Sequence, residues 1–149
     1  MIRHTRSRKP FTARVAAFCL LLASAVAAAH EYHAAGFTFI HPWADATAPG
    51  ATSAPVYFKL DDVRAADRLL RADSPHAESV ELRGGGDASA PALKAIDVAP
   101  AAMLDFGADR PHLLLRGLKA PLQWGRSYQM TVVFERAGPI QVMVSIGAH

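Results

Sequence analysis

The chain has 149 residues, 51% hydrophobic and 19% charged, enough apolar material for one domain core and too much for a disordered or fibrous chain. Its single Cys excludes a disulfide framework and a thiolate zinc finger. The formal charge of +3 is unevenly placed: residues 1–29 hold Arg3, Arg6, Arg8, Lys9 and Arg14 and no acid, while residues 30–149 hold 11 basic residues against 13 acidic ones. The basic excess belongs to the leader, so no nucleic-acid partner is expected.

Residues 1–29 read as a secretory signal peptide, with a basic start, an apolar run over Val15–Ala23 and the small residues Ser24–Ala29. The apolar stretch of about 15 residues is shorter than the roughly 20 that span a bilayer. The expectation is therefore a periplasmic protein, exported through a cleaved leader and keeping no stable membrane span. Cys19 follows Phe18 inside the apolar run, where a lipoprotein signal needs a small residue. Residues 30–36 are expected to form a His-containing tail ahead of a domain over 37–147. Cleavage after Ala29 makes His30 the first residue, whose α-amine and ring chelate one metal ion. Cleavage after Ala27 leaves Ala28-Ala29-His30, a set of nitrogens suited to Cu(II) or Ni(II).

Beyond the leader, short strand-like segments alternate with turn residues. In chain order they are Phe37–Ile40, ending at His41-Pro42; Pro55–Leu60, stopped by Asp61-Asp62; Ser79–Leu82, broken by Gly84-Gly85-Gly86; Ala92–Val98; and His112–Arg116, closed by Gly117. Tyr128–Glu135 and Ile140–Ile146 alternate clearly about Gly138-Pro139 and predict a C-terminal hairpin. Only Arg64–Leu70 offers a helical turn. The pattern predicts an all-β sandwich or Greek-key barrel, with Trp43, Met130 and Met143 in its core.

No nucleophile elbow, His-Glu-x-x-His or phosphate-cradling glycine loop is present, so no enzyme is indicated. The chemistry-bearing feature is histidine near the mature start: His30, His33 and His41, with His112 opening the most apolar strand. Neutral imidazole is the commonest metal ligand. His76 is expected in solvent and His149 at a frayed end. Met103 is the methionine least committed to packing.

The segment His41-Pro42-Trp43-Ala44-Asp45-Ala46-Thr47-Ala48-Pro49-Gly50-Ala51 resembles the opening of the periplasmic copper chaperones called PCu(A)C. Ala54-x-x-Tyr57-Phe58-x-Leu60, Ala66–Leu70 and Ala77–Leu82 are similar to the segments that follow there, and Pro111–Leu122 resembles that family's His-x-Met-x-x-Gly-Leu-Lys-x-Pro-Leu. The resemblance covers about residues 37–146. It implies a cupredoxin-like Greek-key β-sandwich that carries copper, with cytochrome c oxidase or another cuproprotein as the acceptor. It also implies a His/Met copper site, and here the sequence departs. Arg83 and Gly85 stand where a His and a Met are expected, Leu93 is near a second Met, and Leu114 replaces the Met of His-x-Met; only His112 carries over. Two readings follow: a copper carrier whose site has moved to His30 with His33, His41 or His112, or a metal-free interaction module of the envelope.

Overall fold

A computed structural model of the chain describes residues 31–86 and 91–147; the expected signal peptide, His30 and His149 lie outside them. Every long regular element among the described residues is a strand. In order they are β1 (Glu31–Ala34), β2 (Phe37–Ala44), β3 (Ser53–Val63), β4 (Asp67–Asp73), β5 (Ala77–Arg83), β6 (Ile96–Val98), β7 (Ala101–Phe106), β8 (His112–Leu118), β9 (Ser127–Phe134) and β10 (Gly138–Ile146).

Hydrogen bonding runs β5-β8-β3-β2-β10-β9-β4-β6, with β1 added to β2 and β7 to β3. Only β2 and β10 run parallel, at Trp43–Ser145 and Ala44–Ile146. A tight turn at Ser74–Ala77 leads β4 into β5, bringing the far ends of the order together in a nearly closed barrel. This is the cupredoxin-like all-β fold the sequence predicts. The interior is filled by the inward members of each alternating strand. Phe39, Phe58 and Phe106 stack at centroid distances of 4.6 and 4.2 Å, and Phe37 leans on Phe134 at 4.8 Å. Burying such rings supplies the main driving force for closing the sheet.

β3 holds the two halves together. Its first residues, Ser53–Val56, pair with β8, whereas Phe58–Val63 pair with β7. Asp61-Asp62 does not stop it: Asp62 takes φ 50°, a left-handed conformation that Asp tolerates, and the strand continues to Val63. His41-Pro42 likewise fails to end β2. His41 adopts φ 52° in a bulge between Ile40 and Trp43, and Pro42 is buried beyond it.

Other expectations need correction. Arg64–Leu70 makes no helical turn; β4 starts at Asp67, and a bulge between Leu69 and Arg71 masks its alternation. Of Ala92–Val98 only the last three residues form a strand, and Leu93 makes a lone bridge to Leu82. Part of the predicted tail is a strand, β1, with Tyr32 and Ala34 packed toward the core. The Tyr32 hydroxyl accepts the Met143 N–H at 2.7 Å, pinning β1 against β10. Met130 is buried as expected, but Met143 is 37% exposed, because Val142, Val144 and Ile146 take the inward positions of β10.

Candidate functional site

The outer face of β5, β8 and β3 is built by register. Arg83 pairs with His112, Glu81 with Leu114 and Ser79 with Arg116; Pro55 then lies across from Leu114 and Ser53 from Arg116. Directly opposed residues point to the same side of a sheet, so three cross-strand rows result. The row at the loop end is Arg83, His112 and Tyr57. His112 and Tyr57 meet edge-to-face at 5.7 Å, and Trp43 on β2 continues the contact against Tyr57 at 4.7 Å. Trp43 is thus half-buried on the outside of the barrel rather than in its core.

A cavity of about 310 Å³ opens above this row, floored by Leu114 and Pro55 and walled by Gly85, Gly86 and Ala108. The loop walls are fixed by backbone contacts. Gly86 donates its N–H to the Ala108 carbonyl at 3.1 Å, and Arg110 donates to Gly107 at 3.0 Å. Gly85 has φ 88°, and a Cβ there would fall 2.5 Å from the Arg110 N and O. Only glycine fits that approach.

The electrostatics are those of a donor-rich pocket. The Arg83 side chain is 11% exposed and donates from Nη1 to Glu81 Oε2 at 3.2 Å. The other oxygen of Glu81 lies 3.5 Å from Arg116 Nε, so two guanidinium groups share one carboxylate. Burial holds the Tyr57 phenol above its ordinary range, with Asp45 and then Asp109 adding to the shift. His112 Nδ1 lies 2.9 Å from the Arg110 carbonyl oxygen. A carbonyl only accepts, so Nδ1 carries the proton and Nε2 holds the lone pair in the neutral ring.

The residues predicted from sequence are distributed as follows. His112 is in this cavity together with Arg83, Gly85 and Leu114, the positions where the resemblance expected copper ligands. Leu93 is outside its lining and 40% exposed. His41 is exposed in the β2 bulge. His33 is exposed on β1, with Nδ1 3.2 Å from Thr38 Oγ1. His76 is half-buried against Tyr128 at 4.9 Å rather than in open solvent. Among the described residues, no three of His, Cys, Asp and Glu come together in a group able to hold a metal. Sequence reasoning did not single out Tyr57 or Glu81. Tyr57 was marked only by its outward position between the inward Val56 and Phe58, and Glu81 becomes visible only once the β5–β8 register is known.

A profile of the family described as putative lipoprotein LpqE-like matches residues 37–146, nearly the whole barrel. The chain belongs to this family. This LpqE-like domain is also similar to solved PCuAC domains. The copper-bound PCuAC domain from PmoF2 is 26% identical with a TM-score of 0.69, covering 80% of this chain and 99% of that one. The apo PCuAC domain from PmoF1 is 25% identical with a TM-score of 0.72, over 80% and 100% of the two chains. The Cu(I) form of DR1885 from Deinococcus radiodurans shares the fold, at 22% identity and a TM-score of 0.60 over 72% and 75%. No curated relative matches the LpqE-like chain. Among its described residues no helix is long and apolar enough to cross a membrane.

Proposed function

We propose that the protein is an envelope copper carrier that holds the ion on nitrogen ligands at its mature N-terminus and passes it to an acceptor cuproprotein by ligand exchange. The observation that carries this reading is the likeness to a copper-bound PCuAC domain over that domain's full length. Export is supported by the lipoprotein description of the family and by the leader pattern of residues 1–29. Copper is cargo here, and the residues act as carrier groups rather than as catalysts.

The choice of nitrogen ligands rests on what the cavity has lost. Replacement of thioether and imidazole by Arg83, Gly85 and Leu114 leaves His112 as its only soft-metal donor, beside a permanent cation. The histidines that cluster in sequence near the expected mature start, His30, His33 and His41, offer another place. The His30 amine and ring, with a third nitrogen from another of these histidines, form the donor set. His33 is the third nitrogen, exposed on β1 with its Nδ1 3.2 Å from Thr38 Oγ1, and His41, exposed in the β2 bulge, or His112 in the cavity completes the set. Such a set suits Cu(II).

The test uses protein matured from its own leader, its N-terminus fixed by intact mass, titrated with Cu(II) and Cu(I). Tight, stoichiometric Cu(II) binding that is lost on blocking the α-amine supports the reading. Binding of neither ion above that of an unrelated β-sandwich protein overturns it. The second reading, a metal-free interaction module, draws on the same Arg83, Gly85 and Leu114 and takes that negative result as its support.

A further inference from the structure

The outer face of β1, β2, β3 and β7 carries another cross-strand row, separate from the one that ends at His112. His33 pairs with Thr38, Thr38 with Asp61 and Asp61 with Met103, so these side chains point to one side of the sheet. β1 is held firmly beneath His33. On its inner side the Tyr32 ring meets Phe39 edge-on at 6.5 Å, and the Tyr32 hydroxyl accepts the Met143 N–H at 2.7 Å. On the outer side Thr38 Oγ1 lies 3.2 Å from His33 Nδ1. A hydroxyl and a neutral imidazole nitrogen can each donate or accept in that bond. The third member of the row decides between them. Asp61 flanks Thr38 on the side away from His33, and among the described residues its carboxylate has no ion pair. The nearby Lys59 is taken by Asp105 at 3.3 Å.

We infer that Thr38, backed by Asp61, is a positioning residue for copper: it fixes the proton of neutral His33 on Nδ1 and leaves Nε2 as the donor. A carboxylate is a stronger acceptor than a neutral ring nitrogen, so the Thr38 hydroxyl turns its proton to Asp61 and a lone pair to His33. Directly opposed residues hold their Cβ atoms about 4.5–5.5 Å apart, within reach of a hydroxyl–carboxylate bond. A ring nitrogen that carries a proton cannot ligate, so the opposite tautomer would have to rearrange before Nε2 met an ion. Holding the ring by its far nitrogen also fixes its plane, the usual work of groups just outside a metal's ligands. The identity of the ion rests on the carrier reading above, whereas the tautomer of His33 belongs to the metal-free chain, so the two can fail separately.

The experiment uses the mature chain with ¹⁵N-labelled histidine, metal-free, at about pH 8.5, where an ordinary imidazole is neutral. The ring nitrogen shifts should place the His33 proton on Nδ1. Thr38→Val, which keeps the β-branched shape, should abolish that preference; Asp61→Asn should reduce it and Thr38→Ser retain it. Cu(II) is then titrated into the same variants. Thr38→Val should bind about tenfold more weakly, the low end for losing an outer partner of a metal-bound His, and Thr38→Ser should restore most of the affinity. A His33 proton on Nε2 in the wild type overturns the inference. So does a preference that Thr38→Val leaves unchanged, or equal Cu(II) affinity in Thr38→Val and the wild type. If the tautomer follows Thr38 as expected but no form binds Cu(II), the carrier reading falls and takes the copper role of Thr38 with it, while its hold on the ring stands.

Discussion

Gly85→Ala isolates the contact that holds the cavity in shape. The new methyl carbon would sit 2.5 Å from the Arg110 N and O, and φ is 88°. The conformational part alone costs about 1–2 kcal/mol for an L residue in the left-handed region. The steric part must push Arg110 back by about an ångström, which strains the bond from Gly86 N–H to Ala108 O and the turn bond from Arg110 N–H to Gly107 O. Losing one such bond costs about 1 kcal/mol, so the expected total is roughly 2–3 kcal/mol, or about 8–12 °C in Tm for a domain of this size. Gly86→Ala is the matched control. Its φ is 74° and a Cβ there meets nothing within 4 Å, so only the conformational part applies. Urea unfolding of both variants should therefore separate them by about 1 kcal/mol. The Nδ1 proton resonance of His112 should shift in Gly85→Ala alone, since Arg110 supplies its acceptor. Equal destabilisation of the two variants, with His112 unmoved in both, would refute the close approach.

The other predictions concern the frame and the cavity. Asp67 is 6% exposed and its carboxylate accepts the N–H groups of Arg68, Arg136 and Ala137, clasping the β9–β10 turn to β4; Asp67→Ala should cost roughly 3 kcal/mol in urea unfolding, and Asp67→Asn about half of that. Because the folded-state pKa of Tyr57 is raised, its contribution is intact below the pKa of a free phenol and is lost as pH rises through the folded value. A pH series of Tm above about 10 should fall more steeply for the wild type than for Tyr57→Phe, and parallel curves would contradict the shift. Pairing Arg83→His with Leu114→Met around His112 puts soft donors on adjacent positions of one face, so Cu(I) competition should show a new site in the double variant. No gain over the wild type would mean the cavity walls no longer admit the ion.

Much of the barrel was legible because inward positions alternate without interruption in β9, β10 and the Ala54–Leu60 part of β3. The elements that escaped were those whose alternation is broken or borrowed. β4 carries a bulge after Leu69 and turns the polar Asp67 inward, and β7 is an edge strand that buries only Phe106 fully. β2 and β3 outran their apparent stops because His41 and Asp62 absorb the bend in left-handed conformations, which residue type alone does not announce. At the site, His112 was legible from its place before an apolar run. The shared carboxylate of Glu81 and the outward row from Arg83 to Trp43 were not, since both depend on cross-strand register between segments distant in sequence, from Trp43 with Tyr57 to Arg83 with His112.

The central claim is that copper sits at the N-terminal edge of this fold and away from the Arg83–His112 cavity. Substoichiometric Cu(II) added to the ¹⁵N-labelled mature protein broadens amides according to their distance from the ion. The account predicts broadening centred on Glu31, Tyr32 and the β2 bulge around His41. Broadening centred on residues 83–86 and 112–114, or none at all, would contradict it.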